Sequence, residues 1–448
     1  MTTVAELNGT VQRVLNRAAE EAARSTRFTK RTSKLSGPLF VQTLVFGWLA
    51  HPKATLDELA QTACALGVPI RPQGLDERFT KDAATFLQAV LKRAVHEKVE
   101  AEPVAVDLLS RFNGVYLLDA SQVTLPAELA EVWRGNSRTD PQRRTEGTEA
   151  AVKLHVGFDL CQGKLLGPEL TDGKEHDRNA DLVARVLPEG SLRVTDLGYF
   201  KAGELARLGR QGVFWLSRFQ TKCGFYDEGG QAWELDAFLA VQAERGLSRL
   251  DVPIRLGRAE RLPCRLLAVS VPLEVAETRR RRLRERAKAR GGTPSAKELA
   301  LCDWTVYVTN APPEWLSLEE AFVLGRLRWQ VELVFKLWKS HLLIDEWRTR
   351  NPWRILCEVY AKLLGALLQH WILVVTGWRQ PDRSLVKATR VIRDYIRSLA
   401  LVLKDPVGWE GVMSVIRRCL EGRCRLEKRK TVPSSYQILF NPQLLGLA

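Results

Sequence analysis

A mixed sheet covered by helices on both faces, with helical regions at either end of the chain, is the architecture this sequence predicts. Three observations carry it. Residues 105–219 alternate strand-like and helix-like runs in the order β, ββ, α, β, α, β. Residues 1–104 and 381–448 have the period of helices instead. Hydrophobic residues make up 45% of 448, enough for sizeable cores over a length that calls for roughly two to four folded units.

From the N-terminus, residues 4–23 are amphipathic and a basic joint over 27–34 follows. Thr55 precedes an acidic first turn, Asp57 and Glu58, which marks a helix start. Gly67 and Pro69 break that helix, and residues 73–81 begin another. Two short helices around a glycine-containing turn, at about residues 55–92, have the outline of a helix-turn-helix. Residues 73–81 would then be the helix that enters a major groove; an ordinary helical hairpin has the same outline.

Gly114 to Asp119 is a short apolar run ending in a carboxylate, and a loop rich in Gly and Arg spans 134–149. Residues 151–160 and 164–170 are strand-like and separated by Cys161, Gln162 and Gly163, which predicts a hairpin. A helix over 177–186 follows, then a strand from 192 that ends in a second carboxylate, Asp196. A helix at 202–208 and a strand at 212–217 complete this first part of the core. Residues 220–303 break the rhythm and read as a mainly β insertion carrying an exposed basic helix, 279–290. Strand period returns at 304, and the second part of the core runs to 380. Its most apolar window, 363–375, contains Gln369 and His370 and is too short to span a bilayer, so it reads as a buried helix. Residues 385–403 and 410–420 are helical, and the tail over 423–430 is basic.

The formal net charge is +15, with a pI of about 9.6. That excess of cations favours a polyanionic partner. No basic segment followed by an apolar run opens the chain, so neither a signal peptide nor a membrane is expected. The eight cysteines contain no CxxC pair, and six widely spaced histidines offer no zinc cluster. Reduced thiols in a cytoplasmic protein are the simplest account.

Residues 326–339 are the stretch around which the chemistry is organised. Leu327, Val331, Val334 and Trp338 make one apolar helical stripe, and Arg328, Glu332 and Lys339 share another face. A solvated face with an i,i+4 Arg–Glu pair explains that pattern by itself. Likewise an Asp after a strand is commonplace in turns, so Asp119 and Asp196 are each ordinary alone. Three carboxylates brought together by a fold would raise one another's pKa unless a cation neutralised them. Hard divalent ions with oxygen ligands do this, and a pair of them promotes in-line phosphoryl displacement. In a basic chain, that points to nucleic-acid phosphodiesters.

The spacing Arg328-x3-Glu332-x6-Lys339 resembles the Tyr-x2-Arg-x3-Glu-x6-Lys signature of bacterial DDE transposases of the insertion-sequence-four family. The surroundings of Asp119 and Asp196, the run from Lys153 to Asp159, the run from Thr171 to Asp177 and the run from Gln73 to Phe79 extend the resemblance over nearly the whole chain. It implies an RNase H-like catalytic core over 105–219 and 304–380, interrupted by the 220–303 insertion. It implies that Asp119, Asp196 and Glu332 hold two Mg²⁺ or Mn²⁺ ions per active site, with Arg328 and Lys339 on DNA phosphates. The family's Tyr falls on Gly325, so that hydroxyl is absent. Trp304, twenty-eight residues before Glu332, falls where related enzymes stack an aromatic on a flipped base; a Trp packed at a strand start reads equally well.

The implied activity is cut-and-paste transposition through a hairpin intermediate, in a bacterial, nucleoid-associated cytoplasmic protein. The partners are transposon-end inverted repeats and target DNA, bound by a homodimer with subunit contacts over 381–448. The alternatives are a non-catalytic DNA-binding protein, such as a repressor or an inactive derivative, and a metal-dependent nuclease without strand transfer.

Overall fold

Local chemistry sets many helix starts. Thr55 and Glu58 form a reciprocal capping box at the helix Leu56–Ala65, with Glu58 accepting from the Thr55 amide at 2.7 Å. Thr3, Ser295 and Ser317 open helices in the same way. The computed structural model describes residues 1–30, 34–136, 148–221, 223–427 and 433–445. The basic joint, the Gly/Arg-rich loop and the basic tail therefore lie partly outside the described residues.

Ten strands are present among them. They are β1 (Val115–Leu125), β2 (Ala150–Asp159), β3 (Leu165–Asp172), β4 (Leu192–Thr195), β5 (Phe214–Arg218), β6 (Phe225–Tyr226), β7 (Ala232–Trp233), β8 (Arg249–Leu256), β9 (Leu262–Ser270) and β10 (Trp304–Thr309). The chain forms two compact units: Met1–Ala105, Asp119–Ala184 and Trp329–Lys428 in one, Val106–Leu118, Arg185–Arg328 and Arg429–Ala448 in the other.

The first unit joins the N-terminal helices, the hairpin and most of the C-terminal helices. Its centre is the helix Pro352–Gly377, which packs on the helices Gly37–Ala50, Lys81–Ala94, Leu385–Leu401 and Pro406–Arg423. At 26 residues this helix is longer than its sequence window suggests, and its length and composition would allow a membrane crossing. Its apolar window is 94% buried inside the unit, as a core helix requires. β2 and β3 pair antiparallel in the expected hairpin, with Leu154 opposite Leu170, and Gly163 takes the positive φ of 73° that the tight turn demands. Residues 177–186 do not form one helix; a 3-10 turn, Asp177–Asn179, and a four-residue helix, Asp181–Ala184, stand there.

Residues 73–81 are also not one helix. Pro72–Asp76 makes five residues of helix, and Thr80 then caps a new helix by accepting from the Ala83 amide. Five residues rise only about 7.5 Å. Such a helix is too short to lie along a major groove, so the recognition-helix reading of this segment fails on length.

Two histidines in the first unit are held neutral. His155 on β2 is fully buried, and burial pushes its pKa down to about 4. His370 is buried between Phe158 and Trp378, its Nε2 donates to the Gly163 carbonyl at 2.6 Å, and burial also takes it to about 4. A histidine depressed in the folded state contributes stability that is fully present above about 6.5 and is lost as pH falls toward 4. The unfolding free energy read from urea titrations is expected to drop from pH 6.5 to 4, by up to about 1.4 kcal/mol per pH unit for each histidine. A flat profile over that window would rule this out.

The second unit is built on the strand order β1-β4-β5-β10-β9-β8-β6-β7, parallel for β1, β4 and β5 and antiparallel from β10 onward. The 220–303 segment extends this sheet through β9, which pairs with β10. It is not mainly β: the helices Leu235–Glu244, Leu273–Ala289 and Ala296–Ala300 hold more residues than its four strands. The basic run lies on Leu273–Ala289, with Arg281, Arg282, Arg284, Arg286 and Lys288 exposed, as expected of a solvated cationic helix. Arg280 pairs with Glu277 and Asp303 near its middle.

Candidate active site

β1 is buried from Val115 to Leu118 and half-buried from Asp119 to Gln122. The change in burial comes at the carboxylate, but the strand does not end there; it runs on to Leu125, so Asp119 is a mid-strand residue. One carboxylate oxygen of Asp119 accepts from the Ala120 amide at 2.9 Å. β4 does end where expected. Asp196 follows Thr195, is half-buried, and caps the 3-10 turn Leu197–Tyr199 by accepting from the Gly198 amide at 2.9 Å.

Buried polar contacts anchor β4 ahead of Asp196. Arg193 is 1% exposed and donates to Glu204 at 3.0 Å, and Arg207 donates to the same carboxylate, which ties the helix Ala202–Arg210 to the strand. Burial pushes the Glu204 pKa up, but the hydrogen bonds and charges of Arg207 and Arg193 outweigh it and leave the group below the ordinary carboxylate range. In the ladder between β1 and β4, Leu117 stands opposite Val194. Asp119 comes two residues after the first and Asp196 two after the second.

The stretch 326–339 is divided. One helix, Leu318–Leu327, ends at Arg328, and another, Trp329–His341, begins directly after it. Arg328 itself keeps right-handed helical dihedrals (φ −49°, ψ −33°). The apolar stripe is as expected: Leu327, Val331, Val334 and Trp338 are all buried. Glu332 is exposed in the first turn of its helix, and Arg328 and Lys339 are half-buried. Lys339 Nζ donates to the Gln122 carbonyl at 2.8 Å, which ties the last turn of this helix to β1 three residues beyond Asp119. An ammonium has three donors, so two of its N–H groups can still serve a phosphate.

Trp304 is not the exposed indole that base stacking requires. It is 8% exposed at the first position of β10, opposite Ser270, and Arg279 donates to its carbonyl at 2.9 Å. Burial of this large apolar side chain at a strand start accounts for the residue, and the packed reading holds. Sequence reasoning overlooked Trp329, which is 40% exposed and sits three residues before Glu332 on the same helix. Its signal was present: position 329 falls off the apolar stripe, so a large indole there has no core to enter.

Carboxylate oxygens are the donor set that Mg²⁺ or Mn²⁺ prefers, and Asp119, Asp196 and Glu332 supply only such oxygens. Among the described residues, no group of three or more His, Cys, Asp or Glu side chains stands ready to hold a metal ion. All eight cysteines are free.

Comparison with known proteins shows the family of the chain. The profile of the transposase DDE domain matches residues 110–368, more than half of the chain. The transposase for insertion sequence element IS231F of Bacillus thuringiensis subsp. israelensis is 28% identical over 403 residues, 84% of this chain and 82% of that protein. The transposase for IS1151 of Clostridium perfringens is 22% identical over 369 residues, 78% of this chain and 76% of its own. A putative transposase, InsL of IS186A from Escherichia coli K12, is 28% identical over 243 residues, half of this chain and 61% of its own. With a profile match that runs from just before Asp119 to well past Glu332, the chain belongs to the transposase DDE domain family.

Proposed function

We propose that this protein is a DNA transposase that cleaves the ends of a mobile element and joins them to target DNA. The observation that carries the reading is the equivalent placement of Asp119 and Asp196 after the paired residues Leu117 and Val194, within the region matched by the family profile. With Glu332, these carboxylates would hold two Mg²⁺ or Mn²⁺ ions. When bound, such ions lower the pKa of an attacking water or 3′-hydroxyl and neutralise charge at the phosphate. The protein's own contribution is to fix the carboxylates on a strand, a capped turn and a helix, and to grip the DNA backbone through Arg328 and Lys339. The route is cut-and-paste through a hairpin, with a homodimer holding paired ends. Residues 1–104 serve DNA binding and 381–448 serve subunit contacts, in a cytoplasmic, nucleoid-associated enzyme.

The test uses duplexes that carry the terminal sequences flanking the coding region, incubated with the protein and Mg²⁺. Hairpins and joined products are expected. Nicking without joining indicates a nuclease, and retention without cutting indicates a repressor-like binder; either result overturns the proposal.

Binding is expected to be strongly electrostatic, given the net charge of +15 and the exposed cations of Leu273–Ala289. The logarithm of the binding constant should fall with the logarithm of salt by about 0.9 per phosphate neutralised. Changing Arg281, Arg282, Arg284 and Arg286 to Gln should reduce that slope. An affinity indifferent to salt would contradict the reading.

A further inference from the structure

The second unit fills the place of its missing tyrosine from another element. Gly325 lies on the helix Leu318–Leu327, three residues before Arg328. A Cβ at 325 would overlap Cζ and the hydroxyl oxygen of Tyr307 and stand 2.8 Å from its Cε1. Tyr307 comes from β10, and its ring meets Phe322 of the same helix edge-on, with centroids 5.1 Å apart. Glycine at 325 is therefore what lets this phenol lie against the helix; any other side chain would collide with it.

Two arginines share the face of the sheet that carries Tyr307. Arg218 stands opposite Tyr307 in the β5–β10 ladder, and directly paired residues share a face. Thr305, two residues earlier on β10, shares that face and accepts from Arg279 at 2.8 Å. The remaining Arg279 hydrogen bonds go to the carbonyls of Cys302 and Trp304, all neutral acceptors. Burial and then the charge of Arg218 pull the Arg279 guanidinium below its usual range. Arg218 is exposed and Tyr307 is 7% exposed, so only the hydroxyl end of the phenol is offered to a ligand; among the described residues neither the Arg218 guanidinium nor the Tyr307 hydroxyl has a hydrogen-bond or ion-pair partner. Two guanidiniums that repel each other, on the same face as an unused hydroxyl, are suited to an anion. A phosphate oxygen suits all three, because charge-assisted hydrogen bonds to phosphate are strong for Arg and available to a phenol.

We infer that Tyr307, with Arg218 and Arg279, forms a contact for a DNA backbone phosphate, so that the strand residue supplies the hydroxyl that position 325 lacks. This rests on the DNA reading proposed above. Tyr307→Phe keeps the ring and its packing on Phe322 while removing only the hydroxyl. It is expected to weaken binding to end-containing duplex by roughly ten- to a hundredfold, the range for one hydrogen bond to a charged group. Arg218→Gln, an exposed change, should lower the salt slope by about 0.9. In a scan of neutral methylphosphonate substitutions, one end phosphate should matter to the wild type and no longer matter to Tyr307→Phe. A merely structural tyrosine would not show that loss of coupling to a single phosphate.

If wild type cuts its ends and Tyr307→Phe binds as tightly, the phosphate contact is wrong and the transposase reading stands. The contact is also wrong if the Tyr307→Phe loss adds equally to every phosphate substitution. A wild-type chain that neither retains nor cuts the duplex overturns both.

Discussion

Glu332→Gln is expected to lower metal-dependent cleavage of element ends by about a thousandfold or more, while DNA retention and folding stay near wild type. The effect follows from charge. Glutamine keeps the shape and one oxygen of the side chain but removes the negative charge that a hard divalent ion needs. A thousandfold loss corresponds to about 4 kcal/mol of transition-state stabilisation, within reach of metal-assisted phosphoryl transfer. Glu332 is exposed, so the substitution should cost no more than about 0.5 kcal/mol of stability. Asp196→Asn makes a companion test. Asparagine retains the cap on Gly198, so loss of activity there reports charge and not a broken turn. Rates of nicking at saturating Mg²⁺, beside gel retention and thermal melts, provide the measurement. Activity within tenfold of wild type for either variant would remove that carboxylate from the metal-holding set.

The largest stability effect is expected at a residue outside the proposed chemistry. Lys362 and Glu358 form an i,i+4 ion pair on Pro352–Gly377, 2.7 Å apart, with side chains 1% and 7% exposed. Lys362 Nζ also donates to the carbonyls of Leu343 at 2.8 Å and Glu346 at 2.9 Å, which pins the segment after the Glu332 helix to the core. Lys362→Met would leave a buried carboxylate without its cation and two carbonyls without their donor. Breaking a buried pair from one side costs about 3–5 kcal/mol. Burial already raises the Glu358 pKa, and Lys362 opposes that rise, so the variant should raise it further. A carboxyl raised in the folded state contributes stability at low pH that is lost as pH increases. The destabilisation relative to wild type should therefore be larger at pH 8 than at pH 5, as read from urea midpoints. A cost below about 1 kcal/mol, or one that shrinks as pH rises, would show that the pair is not held as described.

Much of the candidate site was legible because it depends on short-range pattern. The spacing of Leu327, Val331, Val334 and Trp338 determined which face of the 326–339 stretch is buried, and the same spacing put Glu332 outside the core. The β2–β3 hairpin and the cap at Thr55 were readable because turn and cap chemistry act over a few residues. The 73–81 segment was misread because Thr80 competes as a cap within it, and a helical period cannot show where one helix stops and the next begins.

What the sequence determined by itself is therefore local: the period of each element, the solvated basic helix, the carboxylates and their strand or helix contexts, and the family signature. Tertiary structure alone decided how far β1 runs past Asp119, that Trp304 is packed, and that Lys339 reaches the Gln122 carbonyl. It alone put Tyr307 into the space that Gly325 leaves open, eighteen positions along the chain. The physical reason is common to all of these. Strand length, burial and side-chain overlap depend on what a residue meets across the sheet or from a neighbouring helix, and that neighbour is remote in sequence.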